Sequence, residues 1–300
     1  MIARHGAGVV AIGVAAALAA ALCWTLASGL WRRLPTSLGA LQLNLLKNLL
    51  ALGMLVGPAG LATGRPAPAA MVLLVASGVV GIAAGDSLFF AALRRLGTRR
   101  TLTLEAGGPA VASAAGSLWL GEVPGPGQWG GIALISLALV LVARQRTPDP
   151  ADAGPQRLGL LLALAALACG SGGALLARAA LQDGAISALQ AATIRLAAAC
   201  LTLSPLLPGL LPGLRRWRSG PRPAQRRWPR VLMATLLGTS AGIVLQQLAL
   251  SRLPAGLAVG LLATSPVMAA LLAPLEGDRV SWVGWMAACA ALTGVTLLVR

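Results

Sequence analysis

Four charged residues lie inside long apolar segments of the sequence, namely Lys47, Asp86, Glu105 and Arg195. A Lys, Arg or Asp at the centre of a membrane-spanning helix costs about 2.5–3.5 kcal/mol even on permissive insertion scales. Such a residue is therefore expected to face protein, a water-filled cavity or a bound ligand. Two cations in this setting could bind an anionic or zwitterionic small molecule, and two carboxylates could bind and release a proton.

Lys47 and Arg195 occupy equivalent places in a repeated pattern, because segment 41–47 recurs as segment 189–195. Two interpretations stay open for these cations. They could bind substrate in a central cavity, or they could be structural and pair with acids or carbonyl groups, or extend to the interface. Asn44 lies three residues before Lys47 on the same helical face, so it is a further candidate for substrate binding.

Asp86 is the first candidate for proton coupling. It lies about two turns before the arginine-rich end of its predicted helix. In one interpretation, Arg95 or Arg99 caps the carboxylate from that end. In the other, Asp86 is protonated in one facing state and ionised in the other.

Glu105 is the second candidate for coupling and also a candidate for the substrate cavity. It could be an acid near the start of a helix, stabilised by the helix dipole and by Arg100. It could instead be a cavity carboxylate opposite Lys47. The Gly-Gly-Pro sequence at 107–109 favours the second interpretation, because it is expected to loosen the helix at the cavity.

Neutral polar and aromatic residues complete the predicted cavity. Gln246 and Gln247 are adjacent, so their side chains point about 100° apart and only one can face the cavity; the prediction takes Gln246. Trp24 is either an aromatic wall of the cavity or a packing residue.

Other kinds of site have little support in the sequence. The four cysteines lie in separate predicted helices without a C-x-x-C pair, and the single histidine is His5, so neither a metal site nor a cofactor is expected. The sequence contains no phosphate-binding loop, no His-Glu zinc motif and no nucleophile elbow. Eight scattered acids favour a transporter over the alternative, a membrane enzyme or scramblase acting on lipid-linked substrates.

The composition predicts an all-α polytopic membrane protein. Hydrophobic residues make up 57% of the chain and charged residues 11%, whereas soluble domains have about 25% charged residues. A bilayer core requires about 20 apolar residues per helix. Ten such stretches are predicted as transmembrane helices: 8–30, 37–57, 69–93, 101–120, 128–143, 158–181, 185–207, 231–250, 255–275 and 281–299.

The repeated pattern divides the chain into two halves of five helices each. The first repeat is predicted at 1–147, a solvated linker at 148–157 and the second repeat at 158–300. Because each half has an odd number of helices, the second half enters the membrane in the opposite sense. Inverted repeats of this kind are typical of transporters whose site lies between the halves.

The distribution of the +16 net charge indicates membrane orientation and argues against a nucleic-acid partner. Of the 22 Lys and Arg residues outside the two central positions, five fall on the side of the termini and seventeen on the other side. The positive-inside rule places the richer side in the cytoplasm and both termini outside. The segment 208–230 is expected to lie on the membrane surface, with anionic lipids near 215–230. The Ala- and Arg-rich composition suggests a GC-rich bacterium and its plasma (inner) membrane.

Three Gly-x-x-x-Gly pairs predict close helix packing, and they leave both a monomer and a homodimer open. They are Gly81/Gly85, Gly127/Gly131 and Gly256/Gly260.

The same motifs occur in the same order in both repeats. In the first they are 85–93, Leu96-Gly97, Pro109 and Gly121-Glu122, and in the second 248–250, Leu253-Pro254, Pro266 and Gly277-Asp278. This order resembles the EamA-type family of the drug/metabolite transporter superfamily over nearly the whole chain. The resemblance implies a ten-helix basket and alternating access of a small molecule to a central cavity. It also implies substrates such as amino acids, nucleosides, drugs and other metabolites, and frequent export in bacteria. Family members usually have the N-terminus inside, opposite to the orientation that the arginines predict here.

Overall fold

The computed structural model describes residues 2–32, 34, 38–62, 64, 66–145, 156–219, 227–272 and 281–299, and every regular element among them is a helix. The α-helices are α1 (Ile2–Arg32), α2 (Ala40–Gly60), α3 (Pro68–Ser77), α4 (Asp86–Glu105), α5 (Gly108–Trp119), α6 (Pro126–Gln145), α7 (Gln156–Leu181), α8 (Ala188–Leu203), α9 (Leu207–Ser219), α10 (Arg227–Thr235), α11 (Gly242–Arg252), α12 (Ala255–Leu262), α13 (Ser265–Leu272) and α14 (Trp282–Val299). Two π-helices, Gly78–Gly85 and Leu236–Ala241, join α3 to α4 and α10 to α11. A short 3₁₀-helix, Ser204–Leu206, joins α8 to α9.

Nine helical stretches of the described residues are long and apolar enough to cross a membrane. The prediction of an all-α polytopic membrane protein is therefore confirmed. The predicted stretch 101–120 is not among the nine, because its helix is interrupted between Glu105 and Gly108. Pro109 has no amide hydrogen and fits only the first turn of a new helix, which is where it lies in α5.

The chain reverses direction within α4, although its backbone stays helical through Gly97. The order of contacts along α7 shows this reversal. The contacts are, in chain order, Gly85 with Cys169, Leu96 with Gly159, Gly107 with Leu167 and Gly116 with Leu175. The contact position on α7 thus moves from 169 to 159 and then returns through 167 to 175. A straight helix could only continue in one direction, so α4 turns back after Leu96.

The second half repeats this arrangement along α1. The matching contacts are Gly242 with Trp24, Leu253 with Gly13, and Ser265 with Thr25. The third and fourth helical segments of each half therefore pack around the first helix of the other half. Alanines on α1 and α7, such as Ala17, Ala20 and Ala177, are buried in the largest apolar cluster, which also includes Leu250 of α11 and Leu261 of α12. Small side chains on α1 and α7 allow the helices of the other half to pack closely against them.

All three predicted glycine pairs contribute to close packing between helices of the same chain. A Cβ built on Gly81 would lie 3.2 Å from the Cα of Gly173, and a Cβ built on Gly131 would lie 2.6 Å from the carbonyl oxygen of Gly294. Gly256 packs directly on Ser113. The pairs thus explain helix packing within one molecule.

Two glutamines connect α2 and α8 at opposite ends of the molecule. Gln42 accepts a bond from the Gly39 amide, 3.0 Å away, and donates to the carbonyl of Gly209 at 2.9 Å. Gln190 accepts from the Ser187 amide at 3.1 Å and donates to the carbonyl of Gly64 at 2.6 Å. Each glutamine therefore caps its own helix and holds the chain beyond the end of the equivalent helix of the other half, so α2 and α8 run antiparallel.

Candidate functional site

Lys47 and Asp86 form an ion pair that joins α2 to the start of α4. The Lys47 Nζ atom lies 2.9 Å from the Asp86 Oδ2 atom, and the side chains are 16% and 37% exposed. The expectation that Arg95 caps Asp86 is wrong, because Arg95 donates instead to the carbonyl of Ala91 at 3.2 Å. The side chain of Arg99 lies outside the described residues. Asp86 thus takes its counter-charge from α2, not from the end of its own helix.

Arg195 is buried, with 3% of its surface exposed. Its Nη1 atom donates to the Gln246 Oε1 atom at 3.2 Å, and its Nε atom has no partner. A Cβ built on Gly81 of the first π-helix would lie 3.3 Å from Nη2, so the glycine makes room for the guanidinium group. Asp86 acts electrostatically on Arg195 without a direct contact. The two symmetric cations therefore differ: Lys47 has a carboxylate partner, and Arg195 has a neutral amide.

Glu105 ends α4 at the interruption before α5. The Gly-Gly-Pro sequence was expected to loosen one continuous helix; in the structure the helix is interrupted there. The Glu105 Oε1 atom is buried without a hydrogen-bond partner, and the side chain forms no ion pair within the described part of the chain. Asp86 acts electrostatically on Glu105, so both acids belong to the same central cluster.

Asn44 connects α2 to the first π-helix. Its side chain is fully buried and its Nδ2 atom lies 3.5 Å from the carbonyl oxygen of Ile82. The Asn48 amide donates to the Asn44 Oδ1 atom at 3.2 Å. Asn44 supports helix packing in this conformation, and its role in substrate binding stays a prediction.

The second π-helix has an equivalent side-chain contact. The Trp24 Nε1 atom donates to the carbonyl oxygen of Gly238 at 2.9 Å, and the indole ring lies against Gly242. Because a π-helix shifts its hydrogen bonds by one residue, it offers carbonyl groups to side chains of other helices, and π-helices are frequent at functional sites. The glycines at both sites were visible in the sequence, but the helical irregularity was not predicted.

Gln246 and Gln247 separate as predicted. Gln246 accepts the bond from Arg195. Gln247 is fully buried, and neither atom of its amide has a hydrogen-bond partner. Of the two residues, only Gln246 belongs to the charged cluster.

A second ion pair, which the sequence reasoning did not assign to a site, lies at the ends of α7, α11 and α12. The Arg178 Nε atom lies 2.7 Å from the Glu122 Oε1 atom, and its Nη1 atom donates to the carbonyl of Leu250 at 2.9 Å. The other carboxylate oxygen of Glu122 accepts from the Ala255 amide at 2.7 Å. In the sequence, Glu122 belongs to a Gly-Glu motif. It is one of only eight acidic residues in the chain, and this scarcity was the signal that could have marked it as a site residue.

Comparison with known proteins supports the same fold. A solved structure described only as "Crystal structure of protein" matches with a TM-score of 0.73 and 17% sequence identity, over 95% of each chain. At this identity the likeness concerns the fold alone. No curated protein matches the sequence. The model of the EamA-like transporter family matches residues 11–144 and 157–300, one match for each predicted repeat. Because these two matches cover most of the chain, the protein belongs to the EamA-like transporter family.

Proposed function

We propose that this protein is a secondary transporter that exports a small metabolite or drug-like molecule across the plasma membrane by alternating access. The family is a membrane transporter family, whereas substrate, direction and coupling are inferences from the central cluster. The observation that carries the proposal is Arg195, a buried guanidinium with an unpartnered Nε atom and only a neutral partner. A buried cation without a direct counter-ion is costly unless a ligand or a neighbouring acid compensates it.

The cluster suits a substrate with an anionic group. Arg195 presents planar N–H donors that match a carboxylate or a phosphate. Lys47 is partly exposed beside Asp86 and offers a second cation on the equivalent helix. Gln246 of α11 contacts Arg195, and Trp24 of α1 lies against Gly242, about one turn before Gln246, so the two residues complete the candidate site. Asn44 is included as a residue that becomes available only if α2 moves away from the first π-helix.

The transport cycle proposed here uses ten helices in two inverted five-helix repeats, at 1–147 and 158–300 with a linker at 148–157. The reversal of α4 supports a separate crossing by residues 101–119, which would be the tenth helix. The reciprocal bonds of Gln42 and Gln190 support an axis in the membrane plane. Because α1 packs against the second half and α7 against the first, movement of one half would be coupled to movement of the other.

We propose that the transporter is proton-coupled and that the geometry favours Glu105 over Asp86 as the coupling group. Asp86 is held in an ion pair with Lys47. Glu105 has a buried carboxylate oxygen without a hydrogen-bond partner and forms no ion pair within the described residues, so a proton can bind there without breaking a salt bridge. In liposomes, Glu105→Gln should keep substrate exchange and lose accumulation driven by a pH gradient, because exchange requires no net proton movement. If Glu105→Gln and Asp86→Asn proteins both still accumulate substrate along the gradient, neither acid is the coupling group.

The test of the proposed function is a metabolite-resolved flux screen in proteoliposomes, with and without a pH gradient. Once a transported metabolite is found, Arg195→Gln and Lys47→Gln should weaken its binding while the proteins stay folded. If binding is unaltered in a well-folded Lys47→Gln protein, Lys47 has no binding role. The absence of flux for any small metabolite would contradict the function itself.

We also propose that the arginine-rich loops are cytoplasmic and that both termini lie outside. The arginine distribution is the support for this orientation. The exposed Trp228 fits the proposed contact of segment 215–230 with lipid at either face. Reporter fusions at Arg300 and within 215–227 decide it, and a cytoplasmic C-terminal reporter would reverse the assignment. A monomer is sufficient for the proposed site, and a homodimer would require a different interface from the glycine pairs.

A further inference from the structure

The Glu122–Arg178 pair connects both halves of the protein at one face. Glu122 lies between α5 and α6 in the first half, and Arg178 lies near the end of α7 in the second half. Their bonds to the Leu250 carbonyl and the Ala255 amide add the end of α11 and the start of α12. We use the name latch for four groups: the Glu122 and Arg178 side chains, the Leu250 carbonyl and the Ala255 amide. The surface on which they lie is called the latch face.

Helices α5 and α12 are in direct contact below the latch. Gly256 of α12 packs on Ser113 of α5, and a Cβ built on Gly260 would lie 3.8 Å from the Cβ of Pro109. A cavity of about 160 Å³ remains beside the pair, lined in part by Ser113, Glu122 and Arg178. The latch thus lies beside a small cavity and over a closed seam between the two halves.

The opposite half of the seam is arranged differently. Beyond the interruption between α12 and α13, α13 packs mainly on α1, α6 and α14. The contact between α5 and α12 therefore does not continue along α13.

The positions of Lys47 and Arg195 also differ between the latch face and the opposite face. Lys47 lies seven residues from the start of α2, and Arg195 lies seven residues from the start of α8. Because α2 and α8 are antiparallel, Arg195 is closer to the latch face and Lys47 to the opposite face. Arg195 is buried, whereas the Lys47–Asp86 pair is partly exposed. The cluster is therefore covered on the latch side and more accessible on the other.

We infer that Glu122 and Arg178 form a gate that closes the latch face in this conformation and must separate for substrate to pass between α5 and α12. The inference rests on the proposed transport function. Besides their ion pair, the two residues form charge-assisted bonds to backbone groups near the end of α11 and at the start of α12, so this one cluster joins both halves at the latch face. Neither residue contacts the central cluster, so their role is positional and not substrate binding.

The first test measures access to Ser113 without any substrate. The four native cysteines are replaced by alanine, Ser113→Cys is introduced, and purified protein in detergent is treated with a charged methanethiosulfonate reagent. The thiol should react slowly while the latch is intact. It should react at least about tenfold faster in Glu122→Gln and Arg178→Gln proteins, because water reaches the seam when α5 and α12 separate. Arg252→Gln is the matched control, since it removes a charge from an exposed residue on the same face and should leave the rate unchanged.

Folding of each variant is checked by size-exclusion chromatography before the rate is interpreted. Equal labelling rates in well-folded Glu122→Gln, Arg178→Gln and unmodified latch proteins would overturn the inference. Equal acceleration by Arg252→Gln would overturn it as well, because the effect would then reflect surface charge alone.

The second test locks the latch face and does not depend on removing either charge. A Cβ built on Gly116 would lie 4.0 Å from the Cβ of Ala255, within the range of about 3.5–4.5 Å for a disulfide. In the cysteine-free protein, the Gly116→Cys/Ala255→Cys variant should therefore cross-link on oxidation. For a metabolite identified in the flux screen, the oxidised protein should show no transport, and reduction should restore it. Each single-cysteine variant is the control for oxidant damage.

Continued transport by the fully cross-linked protein would overturn the gate. If even the unmodified protein transports no metabolite, the proposed function fails, whereas the Ser113 labelling result still decides whether Glu122 and Arg178 hold this face closed.

Discussion

The Lys47–Asp86 pair offers a quantitative test of the electrostatics of the central cluster. Two unit charges about 4 Å apart interact by roughly 4 kcal/mol at an effective dielectric constant of about 20. The Nζ–Oδ2 distance is 2.9 Å, but the Asp86 side chain is 37% exposed, so solvent weakens the interaction. We therefore expect a coupling free energy of about 1–3 kcal/mol in a double-mutant cycle of Lys47→Gln and Asp86→Asn.

The two single substitutions should differ in size. Asp86→Asn removes the acid that acts on both Lys47 and Arg195, and it leaves two cations without a nearby ionised partner. Lys47→Gln leaves Asp86 close to Arg195. Asp86→Asn should therefore destabilise the protein more than Lys47→Gln does, and the double variant should be more stable than the sum of the singles predicts.

Thermal unfolding in detergent micelles measures the cycle. A coupling of about 1–3 kcal/mol corresponds to a shift of about 2–12 °C in Tm, taking roughly 2–4 °C per kcal/mol for a large domain. Arg144→Gln is a matched control, because it removes an exposed charge near the end of α6. Additive single effects, or a larger loss from Lys47→Gln than from Asp86→Asn, would refute this account of the cluster.

Two further predictions concern packing. Gly173→Ala should lower stability by about 1–3 kcal/mol, because its Cβ would lie 2.6 Å from the Cα of Gly81 and overpacking has roughly this cost; Gly172→Ala, with nothing within 4 Å, should be neutral or slightly stabilising in the same melting experiment. Equal Tm values for these two variants would contradict the close contact between α7 and the first π-helix. Gln42→Ala and Gln190→Ala should each cost about 1–2 kcal/mol through a lost cap and a lost interhelical bond. Their effects on Tm should add, because the two sites lie at opposite ends of α2 and α8, and strong non-additivity would argue against independent connections.

Local composition was sufficient to predict the class of protein and most of its helices. An apolar stretch of about 20 residues must satisfy its backbone hydrogen bonds internally in a membrane, so it forms a helix whatever its neighbours are. The predicted stretch 101–120 was wrong as one continuous helix, because proline lacks the amide hydrogen that a continuous helix needs and the helix restarts at Gly108. The repeat was also readable from the sequence, and the two matches of the family model confirm it.

The partners of the charged residues depended on the tertiary structure. The sequence placed Arg95 near Asp86 along one helix, but the fold brings Lys47 to it across 39 residues. The two symmetric cations looked equivalent, and only packing against Gly78 and Gly81 makes Arg195 the buried one. Distances between helices depend on which small residues meet, and this information is spread over both halves of the chain.

The sequence by itself determined that the chain is a helical membrane protein with a repeated unit and a few charges inside it. The tertiary structure decided that each half packs around the first helix of the other, that Glu105 forms no ion pair among the described residues, and that Glu122 joins the halves at one face. The physical reason is that helix formation in a membrane follows from local hydrogen bonding, whereas the pairing of charges follows from contacts between residues far apart in the chain.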